Sequence, residues 1–327
     1  MNKMDWVSCK AKFKIQKIQW QNILLLLLNI TLIFISFYFQ DNFYYFPIKI
    51  LTLTLALLQI YLLLHEATHY KIVNNNILSE VIAHVLGWLI FLPFLARKRS
   101  HLLHHSWTGH PIGDPANKRL IQRFSVINHR QRKILEFIWR SWLPLLALND
   151  RIGLWRDAFL QRKNLNSSKE IKKEIFFIYL YIIFYILFFI FLIQQNLFLS
   201  FIKIYAPAFF FLLFLEELAN GPHHAETPLL NETDRSLPYW EQQVVTHSCK
   251  SIPIWSNYIL LNFNLHNAHH YIPWAPWYEL KKIHNEMIKI DPNIEKNRVY
   301  NEITWSIKNR KKPLLNIMGH YFNKIKN

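Results

Sequence analysis

His266-Asn267-Ala268-His269-His270 (HNAHH) repeats the H-x-x-H-H spacing of His101-Leu102-Leu103-His104-His105 (HLLHH), and His65-Glu66-Ala67-Thr68-His69 (HEATH) adds a pair at H-x-x-x-H. Steps of three and four return a side chain to the same helix face, because a turn holds about 3.6 residues. Each box can therefore aim two or three imidazoles at one point. Together the boxes hold eight histidines. A zinc ion takes about four protein ligands at most, so this many nitrogens suits two metal ions with room for a small substrate such as O2. HEATH alone also matches the zinc-protease pattern, with Glu66 as general base. That pattern is short and occurs by chance; its company with two further boxes favours a two-metal centre. Imidazole binds several transition metals, so the ligands alone do not name the ion.

The 327 residues are 52% hydrophobic and 16% aromatic with only 6 Gly, which suits an integral membrane protein and excludes a disordered chain. Cys9 and Cys249 are too few for a disulfide framework and leave metal binding to nitrogen. Four apolar runs have the length of bilayer spans: residues 22–39, 44–64, 175–193 and 197–218. The turns Gln40-Asp41-Asn42 and Gln194-Gln195-Asn196 make two hairpins of them. Val81 to Ala96 is apolar but short, with Gly87 and Pro93, and reads as re-entrant or interfacial. Trp139, Trp142 and Trp155 surround Leu143 to Leu148 and suggest a segment in the headgroup layer. Lys3, Lys10, Lys12, Lys14 and Lys17 precede the first run without a small-residue cleavage site, so that run reads as an uncleaved span. The expected architecture is all-α: one membrane domain over residues 1–327, with four transmembrane helices, interfacial helices and a helical cap holding the di-metal histidine cluster.

Charge sets the expected topology. Of the 38 Lys and Arg, only Lys49 and Lys203 fall outside residues 1–21, 65–174 and 219–327. Both exceptions can snorkel from the ends of their spans. The positive-inside rule then places residues 65–174 and 219–327, both termini and all three boxes in the cytoplasm. It also explains the net charge of +17 without nucleic acid, for which no binding motif is present.

The three boxes, their order and their placement after the second and fourth spans resemble the membrane fatty acid desaturase superfamily, which includes acyl hydroxylases and carotenoid hydroxylases and ketolases. Flanking residues resemble it too. His269 to Leu280 (HHYIPWAPWYEL) is similar to the family's HH-x-x-P-x-x-P-x-x-x-L run, and His104-His105 is followed by Thr108 and by Asp114-Pro115. The likeness spans most of residues 20 to 290. It implies two Fe ions, O2 as co-substrate and two electrons from an external donor of the ferredoxin or cytochrome b5 type. It also implies a further histidine and a water-held asparagine from an Asn-x-x-x-His, matched here by Asn220 and His224, with His223 as an alternative ligand. The implied metal ligands are His65, His69, His101, His104, His105, His224, His266, His269 and His270, supported by Asn220, Glu66 and Asp114. The chain departs from the family pattern in three places. The first box is the short form HEATH, Thr108 is followed by Gly109 rather than Asn, and the third box begins with His266 rather than Gln. No HPGG segment marks a fused cytochrome domain.

The remaining polar residues have plainer expected roles. His84 is read as a packing residue. His110, His129, His247, His284 and His320 are read as surface or supporting groups, and Glu216 or Glu217 as a partner for a ligand imidazole. The expected activity is oxidative desaturation of an acyl chain of a membrane lipid or activated fatty acid. A hydroxylase or ketolase of an acyl chain or carotenoid is the near competitor, and a membrane zinc protease using HEATH the remote one. A metal transporter would need ionisable groups inside the spans, which are nearly free of them. The sequence leaves open the head group, the double-bond position and the oligomeric state.

Overall fold

The computed structural model describes residues 1–13, 19–38, 44–70, 72–161 and 168–317. Phe39, the Gln40–Asn42 turn, Lys14, Lys17 and His320 lie outside the described residues. In chain order the helices are α1 (Lys3–Lys12), α2 (Trp20–Tyr38), α3 (Phe46–His69), α4 (Asn76–Leu89), α5 (Phe94–Trp107), α6 (Pro115–Val126), α7 (His129–Arg140) and α8 (Leu145–Gln161). They continue as α9 (Lys169–Gln194), α10 (Phe198–Asn220), α11 (His266–Tyr271), α12 (Leu280–Ile290), α13 (Asn293–Lys296), α14 (Glu302–Asn309) and α15 (Leu314–Ile317). Among the described residues the only β-type pairing is an isolated parallel bridge, Cys249 with Val299. The chain divides into two units: residues 18–99 with 146–215, and residues 1–17 with 100–145 and 216–327.

The first unit holds the apolar helices. α2, α3, α9 and α10 are each long and apolar enough to cross a membrane. α3 is the most buried of the four. It runs unbroken from the apolar stretch into the first box, as its sequence predicts. The Val81–Ala96 run is broken: α4 ends at Leu89 and α5 leaves at 99° to it. A helix end leaves carbonyls without intrahelical donors, which is costly in an apolar setting. Side chains of α8, α9 and α10 supply the donors. Tyr185 Oη donates to Trp88 O at 2.7 Å, Tyr205 Oη to Leu89 O at 2.5 Å, Arg151 to Ile90 O at 2.8 Å and Trp155 Nε1 to Phe91 O at 3.1 Å. Gly87 permits the bend, since a Cβ there would lie 2.4 Å from Leu92 O and 2.7 Å from Tyr181 Oη. His84 stacks on Phe177 with centroids 3.7 Å apart, the expected packing role. Lys203 is exposed, whereas Lys49 is buried. It lines a cavity of about 640 Å³ with Leu53, Leu57, Trp88, Phe188 and Tyr205.

The second unit is built around α11. Its core joins Leu265, Ala268, Tyr271 and Ile272 to Leu280, Ile283 and Met287 of α12, and Cys9 of α1 packs into it. Trp6 donates from Nε1 to Tyr271 O at 2.7 Å, and Lys12 pairs with Glu286. The basic N-terminus, which sequence assigns only a charge, thus braces the third box. Glu217 pairs with Arg310 at 2.9 Å, and both side chains are buried. The Arg310 guanidinium also lies 4.5 Å from the Trp139 ring centroid and 4.8 Å from that of Trp142.

Candidate metal centre

Within the second unit, His104 on α5, His224 after α10, and His266 and His270 on α11 bring one ligand nitrogen each to within 4.8 Å of one another. The i, i+4 step from His266 to His270 sets both rings on one face of α11, with their Nε2 atoms 3.1 Å apart. His224 Nε2 approaches His266 Nε2 at 2.9 Å.

Oxygen acceptors fix three of the rings from behind. His104 Nδ1 lies 2.9 Å from Asp114 Oδ2, His224 Nδ1 3.2 Å from Val245 O, and His270 Nδ1 2.8 Å from Gln242 Oε1. An ionised carboxylate and a carbonyl only accept, so each Nδ1 carries the proton and each Nε2 presents a lone pair. Gln242 is itself oriented, because its Nε2 donates to His105 O at 2.7 Å and Leu237 O at 3.1 Å. The lone pairs therefore converge with too few protons to pair them all. A cation resolves that arrangement, and tautomer-fixing partners of this kind accompany metal-bound histidines. Burial first, and neighbouring imidazoles second, hold His266 and His270 well below the usual histidine range. Burial and then His104 bring His224 down to about 3. All three are neutral and competent as ligands at neutral pH.

The same unit places His105 Nε2 at 3.1 Å from His101 Nε2 and 3.0 Å from His269 Nε2. The His105 ring also lies 4.3 Å from that of His270, so the two groups of imidazoles adjoin. In the membrane unit His65 and His69 have ring centroids 5.3 Å apart at the end of α3. Glu66 is buried there, with its carboxylate on Tyr70 Oη and 3.7 Å from His65 Nδ1. Asn220 donates from Nδ2 to Glu216 O at 2.8 Å.

Asp114 has two roles. One oxygen holds His104, and the other accepts from Ala116 N at 2.9 Å as the N-cap of α6, with Pro115 at the first helical position. Gly109 closes α5 with φ +78°. Gly and Asn are the residues that tolerate this conformation, so Thr108-Gly109 is a physically equivalent departure from Thr-Asn. Of the two candidate histidines after α10, His224 joins the four-nitrogen group, while His223 stacks on the His266 ring at 4.2 Å. Sequence reasoning missed Gln242, since a lone glutamine in a loop carries no periodic signal. Of the histidines read as surface or supporting groups, His110 and His284 are buried. His110 Nδ1 accepts from Ile112 N and Gly113 N, and His284 Nε2 lies 3.0 Å from Glu295.

A family model described as "Fatty acid desaturase" matches residues 43–301, which covers most of the chain. The chain belongs to the fatty acid desaturase family. No curated protein matches it significantly. Membership implies an oxidoreductase of the desaturase and hydroxylase type, a lipid-directed chemistry and a membrane setting, in keeping with the four candidate spans. It also gives the convergent imidazoles of this desaturase-family chain a chemical purpose.

Proposed function

We propose that the chain is an O2-dependent di-iron desaturase that introduces a double bond into an acyl chain of a membrane lipid or an activated fatty acid. The observation that carries this reading is the convergence of Nε2 lone pairs in the group of His104, His224, His266 and His270. His65, His69, His101, His105 and His269 complete the proposed ligand set. Asp114, Glu66 and Asn220 hold or orient members of it. When bound, the iron pair supplies the reduction of O2 and the attack on an unactivated CH2 that side chains alone cannot provide. The reaction balances as –CH2–CH2– with O2, two electrons and two protons giving –CH=CH– and two waters. Two of the four electrons come from the acyl chain. The other two come from a separate donor of the ferredoxin or cytochrome b5 type.

The chain's own residues define where that chemistry occurs. Asp114 and Gln242 keep His104 and His270 in the ligating tautomer. The cavity of the membrane unit offers an aliphatic and aromatic lining suited to an acyl chain. The concentration of Lys and Arg in the segments that carry the boxes supports a cytoplasmic metal site and cytoplasmic termini. The family match runs across both units, which supports a single working domain. Metal analysis of the purified chain tests the reading. Two irons per chain, with loss of iron in His270→Ala, is the expected result; a single zinc and no iron would refute it.

A further inference from the structure

Behind the His266 ring lies a cluster that the proposed iron ligands do not include. His223, Cys249 and Glu302 bring an imidazole nitrogen, the thiol sulfur and a carboxylate oxygen to within 4.8 Å of one another. All three belong to the second unit, and none is more than 1% exposed. They come from three segments that the fold pins together. His247 N donates to His223 O at 2.7 Å, Val299 N to Ser248 O at 3.0 Å and Lys250 N to Val299 O at 3.0 Å. Asn301 caps α14 and sets Glu302 at its first position.

The Cys249 thiol hydrogen-bonds the Glu302 carboxylate, but the cluster is otherwise poorly satisfied. Among the described residues neither His223 nitrogen has a hydrogen-bond partner, and neither does Glu302 Oε1. Glu302 Oε2 accepts from Trp255 Nε1 at 3.3 Å. A neutral imidazole carries one donor and one acceptor, and leaving a buried polar group unmatched is costly. Such a group calls for an unseen ligand.

We propose that His223, Cys249 and Glu302 form a third metal site, distinct from the histidine centre, for a thiophilic divalent cation of the zinc class. Imidazole nitrogen, thiolate sulfur and carboxylate oxygen are the donors zinc takes, at about 2.0–2.3 Å. The thiolate disfavours magnesium and calcium. One divalent cation with one thiolate, one carboxylate and one neutral imidazole has no net charge, which a fully buried site requires. Burial, and then the facing carboxylate, push the Cys249 thiol well above its ordinary range, and burial raises Glu302 to about 7. The metal-free cluster therefore holds protons that a binding cation displaces. The His223 ring lies 10° from parallel to His266 and stacks on it. The site thus braces the turn that carries His224 and the ring of His266. None of its three ligands is a proposed iron ligand, so the inference stands apart from the desaturase reading.

Cobalt(II) titration of the intact, iron-loaded chain in detergent tests it, with metal content measured alongside. The expected result is one additional equivalent of metal per chain and a thiolate-to-cobalt charge-transfer band that saturates with it. Cys249→Ser should lose the band and the extra equivalent while keeping its iron. Glu302→Gln should lose the extra equivalent, and Cys9→Ser should lose neither. Absence of the band from the unmodified chain at saturating cobalt would overturn the proposal without needing any variant to fold. Persistence of the band in Cys249→Ser would overturn it as well. A chain with the band and no iron would uphold this site and refute the di-iron reading; two irons without the band would do the reverse.

Discussion

Replacing Asp114 with Asn perturbs the centre at one atom. The carboxylate now accepts twice, from His104 Nδ1 and from Ala116 N. An amide has one oxygen and can meet only one of those demands. If its oxygen stays on Ala116 N, its NH2 faces His104 and favours a proton on Nε2, which then cannot bind metal. If the amide flips, His104 keeps its tautomer but α6 loses its cap, at about 1 kcal/mol. Loss of such a ligand-orienting partner typically costs about 10–100-fold in metal affinity, equivalent to about 1.4–2.7 kcal/mol. Anaerobic competition of the purified variant against a chelator reads the affinity, and thermal unfolding of the metal-free form reads the cap. The expected result is one metal equivalent weakened at least tenfold with the second retained. Unchanged affinity at both equivalents together with unchanged thermal stability would refute the tautomer argument.

Three other outcomes follow from buried contacts. Arg310→Met strands the Glu217 carboxylate and should cost about 3–5 kcal/mol in thermal or denaturant unfolding, and adding Glu217→Leu should recover most of that. Gly87→Ala forces a Cβ against Leu92 O and Tyr181 Oη and should cost about 1–3 kcal/mol; an unchanged melting temperature would contradict the close approach at the bend. Acidification should weaken the metal-free protein. His224 titrates near 6.5 when unfolded and about 3 when folded, so the unfolded chain binds the extra proton and stability falls as pH drops below 6.5. At pH 5 the loss from His224 alone is about 2 kcal/mol, and pH-dependent unfolding of the chelator-treated chain measures it.

The parts of this molecule written in local periodicity are legible in its sequence. Hydropathy locates α2, α3, α9 and α10, and the three- and four-residue steps mark the helical faces on which the His101–His105 and His266–His270 imidazoles converge. Gly87 and Pro93 flag the break in the fifth apolar run. Long-range contacts leave no such trace. Nothing near Trp6 announces that it reaches Tyr271, 265 residues away. Nothing in the sequence sets Tyr185, Tyr205 and Arg151 apart from their neighbours, yet they complete the end of α4. Cys249 and Glu302 are single residues without a motif, and only the fold sets them beside His223. Likewise nothing in the sequence announces that Glu217 pairs with Arg310, 93 residues away.

Lipid analysis of cells expressing the chain addresses the reaction itself. Total lipids would be compared by mass spectrometry with those from a His269→Ala control, in a bacterial host supplied with a ferredoxin system and carotenoid. Desaturation predicts a product lighter by about two mass units, absent from the control, whose fragmentation locates the double bond. A product heavier by about sixteen would contradict desaturation in favour of hydroxylation, and no product from iron-loaded protein would contradict both.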